Sequence, residues 1–109
     1  MSMEVKLEDL PETARAYGPT AYAVVSDPDG APRITHVAPR IAGATITIGL
    51  GRSSVELLRQ HGTLGLLWPA NDRESMSLIV DATVDEILED GEVRVWAVTG
   101  VRHRPAPVA

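Results

Sequence analysis

Hydrophobic residues recur at two spacings along this chain, and the change from one to the other divides it. Leu7, Leu10, Ala14 and Tyr17 stand three and four apart, which places them on one face of a short helix over 7–17, with Gly18-Pro19 as its stop. From Thr20 the period falls to two. Residues 20–26 (TAYAVVS) are rich in strand formers and run into Asp27-Pro28-Asp29-Gly30, a strong turn sequence. A second strand is expected over 32–41, a turn at Ala42-Gly43, and a third strand over 44–50, where the β-branched residues of ATITIGL alternate. Three strands joined by turns this short form an antiparallel meander.

Helical spacing returns over 53–61. Ser53 and Glu56 have the Ser-x-x-Glu separation of a capping box, Val55 and Leu58 with Leu57 supply an inward face, and Gly62 ends the helix. A strand over 63–68 stops at Pro69, and Asn71–Glu74 is a polar loop. A long alternating strand over 75–88 turns at Glu89-Asp90-Gly91 and returns over 92–101. Residues 102–109 hold too many prolines for regular structure and read as an irregular tail over the surface or across a partner. The sum is a mainly β protein: a six-stranded antiparallel barrel over 20–101 with two short helices, in a single domain spanning 1–109. Trp96, inside VRVWAV, is expected in the core. Trp68, at a strand end, is expected to stack on a ring or line a dimer interface.

Composition narrows the chemistry. Aromatic residues make up only 4% of the 109 and Phe is absent, so the core must be built from Val, Ile, Leu and Ala. A net charge of -5 without any basic run argues against nucleic-acid binding. Zero cysteines exclude disulfides, thiolate metal sites and cysteine nucleophiles, and suit a reducing, cytoplasmic compartment. The N-terminal residues carry no signal-peptide pattern, and no apolar run is long enough to suggest a membrane span. No P-loop, Ser-His-Asp arrangement or complete GxGxxG is present; Gly49-Leu50-Gly51 is two glycines of such a pattern. His103 lacks metal-ligand spacing, so no metal is assigned. His36 has no carboxylate near it in sequence to make it a base and reads as an interface histidine. Arg40 reads as an exposed strand arginine, and Asp85-Glu86 to Glu92 as a solvated acidic face.

Four pieces in this order carry a resemblance. They are the hairpin Ser26-Asp27-Pro28-Asp29-Gly30-Ala31-Pro32-Arg33; the strand Thr35-His36-Val37-Ala38-Pro39; the strand, turn and helix start Ile48-Gly49-Leu50-Gly51-Arg52-Ser53-Ser54-Val55; and Leu64-Gly65-Leu66-Leu67-Trp68-Pro69. From Thr20 to about Asp90 the chain resembles the pyridoxamine 5'-phosphate oxidase-like, FMN-binding split-barrel family. The resemblance implies a homodimer with a flavin shared at its interface and oxidation or reduction of a small organic molecule. It places the flavin phosphate at the Gly49-to-Ser54 turn, where Gly51 lets the backbone approach, Arg52 offers a fork and Ser53 and Ser54 offer hydroxyls. It lays the ring against the strand from Thr35 through His36, Val37 and Ala38 to Pro39, and counts Arg33 and Trp68 among the cofactor-binding residues. FMN is the implied cofactor and a deazaflavin the related choice. The chain departs from the family at Ser54, where a lysine is common, and no Lys follows Lys6. The family's frequent Asn-Pro after the helix is replaced by His61-Gly62. Losing one charge-assisted hydrogen bond costs about 1.5–3 kcal/mol. The other reading is therefore a split barrel without cofactor, serving as a ligand-binding or interaction module.

Overall fold

The computed structural model describes residues 2–72 and 75–104. Eight strands form: β1 (Ser2–Val5), β2 (Ala21–Val25), β3 (Arg33–Val37), β4 (Arg40–Ala42), β5 (Thr45–Gly49), β6 (Thr63–Trp68), β7 (Ser77–Ile87) and β8 (Glu92–His103). Helix α1 (Leu10–Tyr17) precedes β2, and α2 (Arg52–His61) lies between β5 and β6. All pairings are antiparallel, in one sheet ordered β3-β2-β6-β7-β8-β5-β4. β1 pairs with the last residues of β8, beside the part that pairs with β5.

The two ends of that order, β3 and β4, are joined by only Ala38 and Pro39, so the sheet must curl until its edges approach. This makes a split barrel. The expected continuous strand over 32–41 breaks at Pro39, which fixes φ and has no N–H to give to a ladder. The expected meander is corrected by the same break: β2 pairs with β3 and β4 with β5, but β3 and β4 stand at opposite edges.

Period-two alternation fills the interior. Ala21, Ala23 and Val25 of β2, Ile46 and Ile48 of β5, and Leu64, Leu66 and Trp68 of β6 are buried, as are Leu78, Val80 and Ala82 of β7 and Val93, Val95 and Ala97 of β8. Helix α1 covers one opening with Leu10 and Ala14, and α2 contributes Val55 and Leu58. The Tyr17 hydroxyl donates to the Met76 carbonyl at 2.6 Å and accepts from Arg102 Nε at 3.2 Å, which ties the end of α1 to the sheet. No helix among the described residues is long and apolar enough to cross a membrane.

Several local expectations shift. The first helical segment begins as a 3-10 turn over Leu7–Asp9 before α1. Ser53 does not cap α2: Gly51 is the N-cap, the helix starts at Arg52, and no side chain caps it. β1 adds an edge that its own residues do not signal, and β8 continues two residues past the expected barrel end at 101. Residues 105–109 of the expected tail, and residues 73 and 74 of the polar loop, lie outside the described residues. Trp96 is not core: it faces outward and is 47% exposed. Trp68 is core, 1% exposed, rather than on an interface.

Two features of the β7–β8 end bear on stability. Gly91 has φ 79°, and a Cβ there would lie 2.5 Å from the Leu50 carbonyl oxygen, whose own N–H donates to the Gly91 carbonyl at 2.9 Å. Leu50 immediately precedes the Gly51 cap, so this contact positions the start of α2. Gly91→Ala is therefore expected to cost roughly 2–4 kcal/mol and to lower the melting temperature by ~10 °C or more in a thermal unfolding scan.

Arg94 Nε donates to Asp85 at 2.8 Å, and the Arg94 guanidinium also bonds Glu86. The Arg94 hydrogen bond, followed by the Trp96 indole, holds the Asp85 carboxyl below the usual carboxylate range. A depressed folded-state value means that the stabilisation is full above the unfolded value and is lost as pH falls through the folded one. Melting temperatures followed from neutral pH to ~2 should fall less steeply on the acid side for Asp85→Asn than for the parent chain.

Candidate functional site

The site is built where the β2–β3 turn meets the start of α2. The Asp29 N–H donates to Asp27 Oδ1 at 2.9 Å, and the Gly30 N–H to the Asp27 carbonyl at 3.2 Å, so the Asp-Pro-Asp-Gly turn is closed by its own first residue. The other oxygen of that carboxylate stands 3.6 Å from Arg33 Nε. The turn thus fixes Asp27, and Asp27 fixes Arg33 at the head of β3. Opposite stands the first turn of α2.

Arg33, Arg52 and Ser53 line one cavity of about 670 Å³, together with Asp27, Glu56 and Leu57. The first helical hydrogen bond of α2 is donated by Val55 to Gly51, so the N–H groups of Arg52, Ser53 and Ser54 precede it. No acidic residue sits in that first turn to offset the positive end of the helix dipole. Asp27 is engaged by Arg33, and Glu56 by Arg59 at 3.3 Å. Arg52 has no ion pair among the described residues, so an arginine without a carboxylate partner and a serine, both at the helix start, line one open space. This donor set suits an anion with several oxygens, such as a phosphate.

The remaining sequence-derived residues scatter. Ser54 is 5% exposed and lines none of this cavity, so the residue lies on the inward side of α2. Gly49 ends β5 and Gly51 caps α2, both exposed and both without side chains against the cavity. Thr35 and Val37 share the face of β3 that carries Arg33, Thr35 half-buried and Val37 buried. Ala38 lies exposed in the joint between β3 and β4. His36 is on the opposite face, stacked on Tyr22 with ring centroids 4.7 Å apart. Trp68 lines a different cavity. Sequence reasoning missed Asp27, Glu56 and Leu57 as lining residues; the Asp-Pro-Asp-Gly turn was the available signal for the first. Arg40, as expected, is exposed, and pairs with Glu92 at 3.2 Å.

The outer face of the sheet is apolar over much of its width. Ile34 and His36 lie across from Val24 and Tyr22, and the face continues through Leu67, Ile79 and Val101. Ile34 is 67% exposed, and Trp96 and Val98 are about half exposed. Val98 is the extra residue of a bulge, between the pairs Ala82↔Ala97 and Asp81↔Thr99.

No protein-family model matches this chain, and neither does any curated protein. Solved structures do. An FAD-binding protein from Mesorhizobium loti superposes with a TM-score of 0.68 at 10% identity, over 96% of this chain and 98% of that one. A Listeria innocua protein, provisionally named a pyridoxamine 5'-phosphate oxidase, gives 0.65 at 15% identity over 90% and 98%. The FAD-binding protein from Mycobacterium smegmatis gives 0.63 at 15% identity over 95% and 100%. Likeness at these identities is likeness of fold, and the chain has the split-barrel fold of the pyridoxamine 5'-phosphate oxidase-like proteins.

Proposed function

We propose that this protein binds a flavin as a homodimer, with the flavin phosphate held at the start of α2 and the ring along β3. The observation that carries the reading is the convergence of Arg33, Arg52 and Ser53 on one cavity at an uncapped helix N-terminus. Two of the similar structures belong to FAD-binding proteins, which agrees with it. FMN, which ends in a free ribityl phosphate, is the simplest occupant; FAD and a deazaflavin carry a further group on that phosphate.

The residues present fit such a group. Arg52 would take phosphate oxygens through its fork, Ser53 would donate its hydroxyl, and Arg33 would supply a second cation already aimed by Asp27. Arg52 thereby stands in for the lysine that the family commonly carries near position 54. The Thr35–Val37 segment offers an edge strand to the polar rim of a ring, since β3 pairs on one side only. A bound flavin would supply hydride or electron transfer, and this chain would bind, orient and shield it. An oxidoreductase acting on a small organic molecule is the activity proposed, in the cytoplasm, a location consistent with the cysteine-free sequence.

The dimer rests on the outer face. Ile34, Tyr22, Trp96 and Val98 form exposed apolar surface of the kind that marks interfaces. Dimer formation across it would cover these groups and bring a second copy to the ring's open side.

Two experiments test the reading. FMN and FAD titrations followed by flavin fluorescence should saturate at micromolar concentration, and Arg52→Glu should weaken binding about 10- to 100-fold. A protein that binds neither flavin at tens of micromolar contradicts the proposal. Light scattering should give twice the chain mass, and Ile34→Glu combined with Val98→Asp should give a folded monomer with weakened flavin binding. A parent chain that runs as a clean monomer overturns the shared site.

A further inference from the structure

A second cavity, of about 320 Å³, lies between α1 and the β3–β4 joint and shares no lining residue with the Arg33–Arg52 site. Its size is within the range of small-molecule sites. Pro11 and Ala14 of α1, Pro19, Pro39 and Ile41 form its walls, and the Trp68 indole is part of its lining. The three prolines have no backbone N–H, so they add no donor to walls in which apolar surface outweighs polar.

Two donors remain, and both are unused. The Trp68 side chain is 1% exposed, and its indole N–H donates no hydrogen bond among the described residues. Yet no side-chain nitrogen or oxygen of the described residues is sealed away without a partner. The indole N–H is therefore not fully sealed from solvent, and Trp68 lines this cavity. The second donor is Arg15, in the last turn of α1, which lines the cavity and makes no ion pair among the described residues. In a chain of net charge -5, a cation left unpaired beside an apolar cavity is a local reversal of sign.

From this we infer that the cavity is a binding site for a small carboxylate with an apolar body, such as an aryl-acetate. The body packs on the Trp68 indole and the proline walls, and the anionic oxygens accept from the Arg15 guanidinium and the indole N–H. An apolar pocket with one or two placed donors selects for this shape: a neutral apolar molecule leaves both donors unpaired, and a dianion leaves a charge against apolar walls.

The indole N–H gives a direct readout. In a ¹H–¹⁵N spectrum the two tryptophan indole peaks are distinguished by Trp96→Phe, and phenylacetate is titrated into the full chain. The Trp68 peak should move saturably at millimolar or lower concentration while the Trp96 peak stays. Arg15→Gln should weaken phenylacetate about tenfold or more while leaving the affinity for phenylethanol unchanged. Ile41→Trp, which fills the cavity, should abolish the shift, with the rest of the spectrum reporting that the fold is kept. A Trp68 peak that does not move, or moves only linearly, overturns the site. Equal phenylacetate affinity in Arg15→Gln overturns the carboxylate. Neither result bears on flavin binding, which Arg52→Glu reports separately.

Discussion

Ala38 and Pro39 separate two strands that the hydrogen-bonding order places at opposite ends of the sheet, and a two-residue link cannot span a flat sheet. Seven strands must curl to bring those ends together, and the interior so enclosed is the core. The same closure sets β3 as an edge beside the start of α2, and puts Pro39 and Ile41 against α1. Both cavities lie along this seam. A proline suits it, because it interrupts the ladder at the one point where the chain must leave one edge and begin the other.

Strand β8 does the complementary work at the centre of the sheet. Its twelve residues pair along β7 on one side and share the other between β5 and β1. A bulge in β8 exposes Val98, and one in β7 opposite places Asp85 where Arg94 can reach it. The Leu50–Gly91 contact carries the order of this sheet to the start of α2. The position of Arg52 and Ser53 is thus set by strand pairing rather than by a cap within the helix.

Much of this was legible in the chain. The switch from helical to alternating spacing at Thr20 gave the class, and β6 falls where TLGLLW placed it. The strand pairs that build the barrel, β5 with β8 above all, join residues far apart and leave no local signal. β1 is a strand only because β8 offers it a partner. The two tryptophans were misplaced although the period held the answer. Trp96 falls out of step with Val93, Val95 and Ala97, and Trp68 in step with Leu64 and Leu66; the size and apolarity of the rings overrode the alternation. For the site, Arg33 and Arg52 are nineteen positions apart in sequence, and only the family resemblance joined them before the turn and the helix did so in space. Ser54 shows the limit: one helical step separates a serine that lines the cavity from one that packs inward.

On the proposed reading the phosphate, not the ring, would anchor a flavin at the start of α2, and a comparison of FMN with riboflavin tests this most directly. The two differ only by that group. If Arg33, Arg52 and Ser53 hold it, FMN should bind about 10- to 100-fold more tightly than riboflavin in isothermal titration, and the difference should collapse in Arg52→Glu. Equal affinities for FMN and riboflavin, or a preference that survives loss of Arg52, would contradict the account.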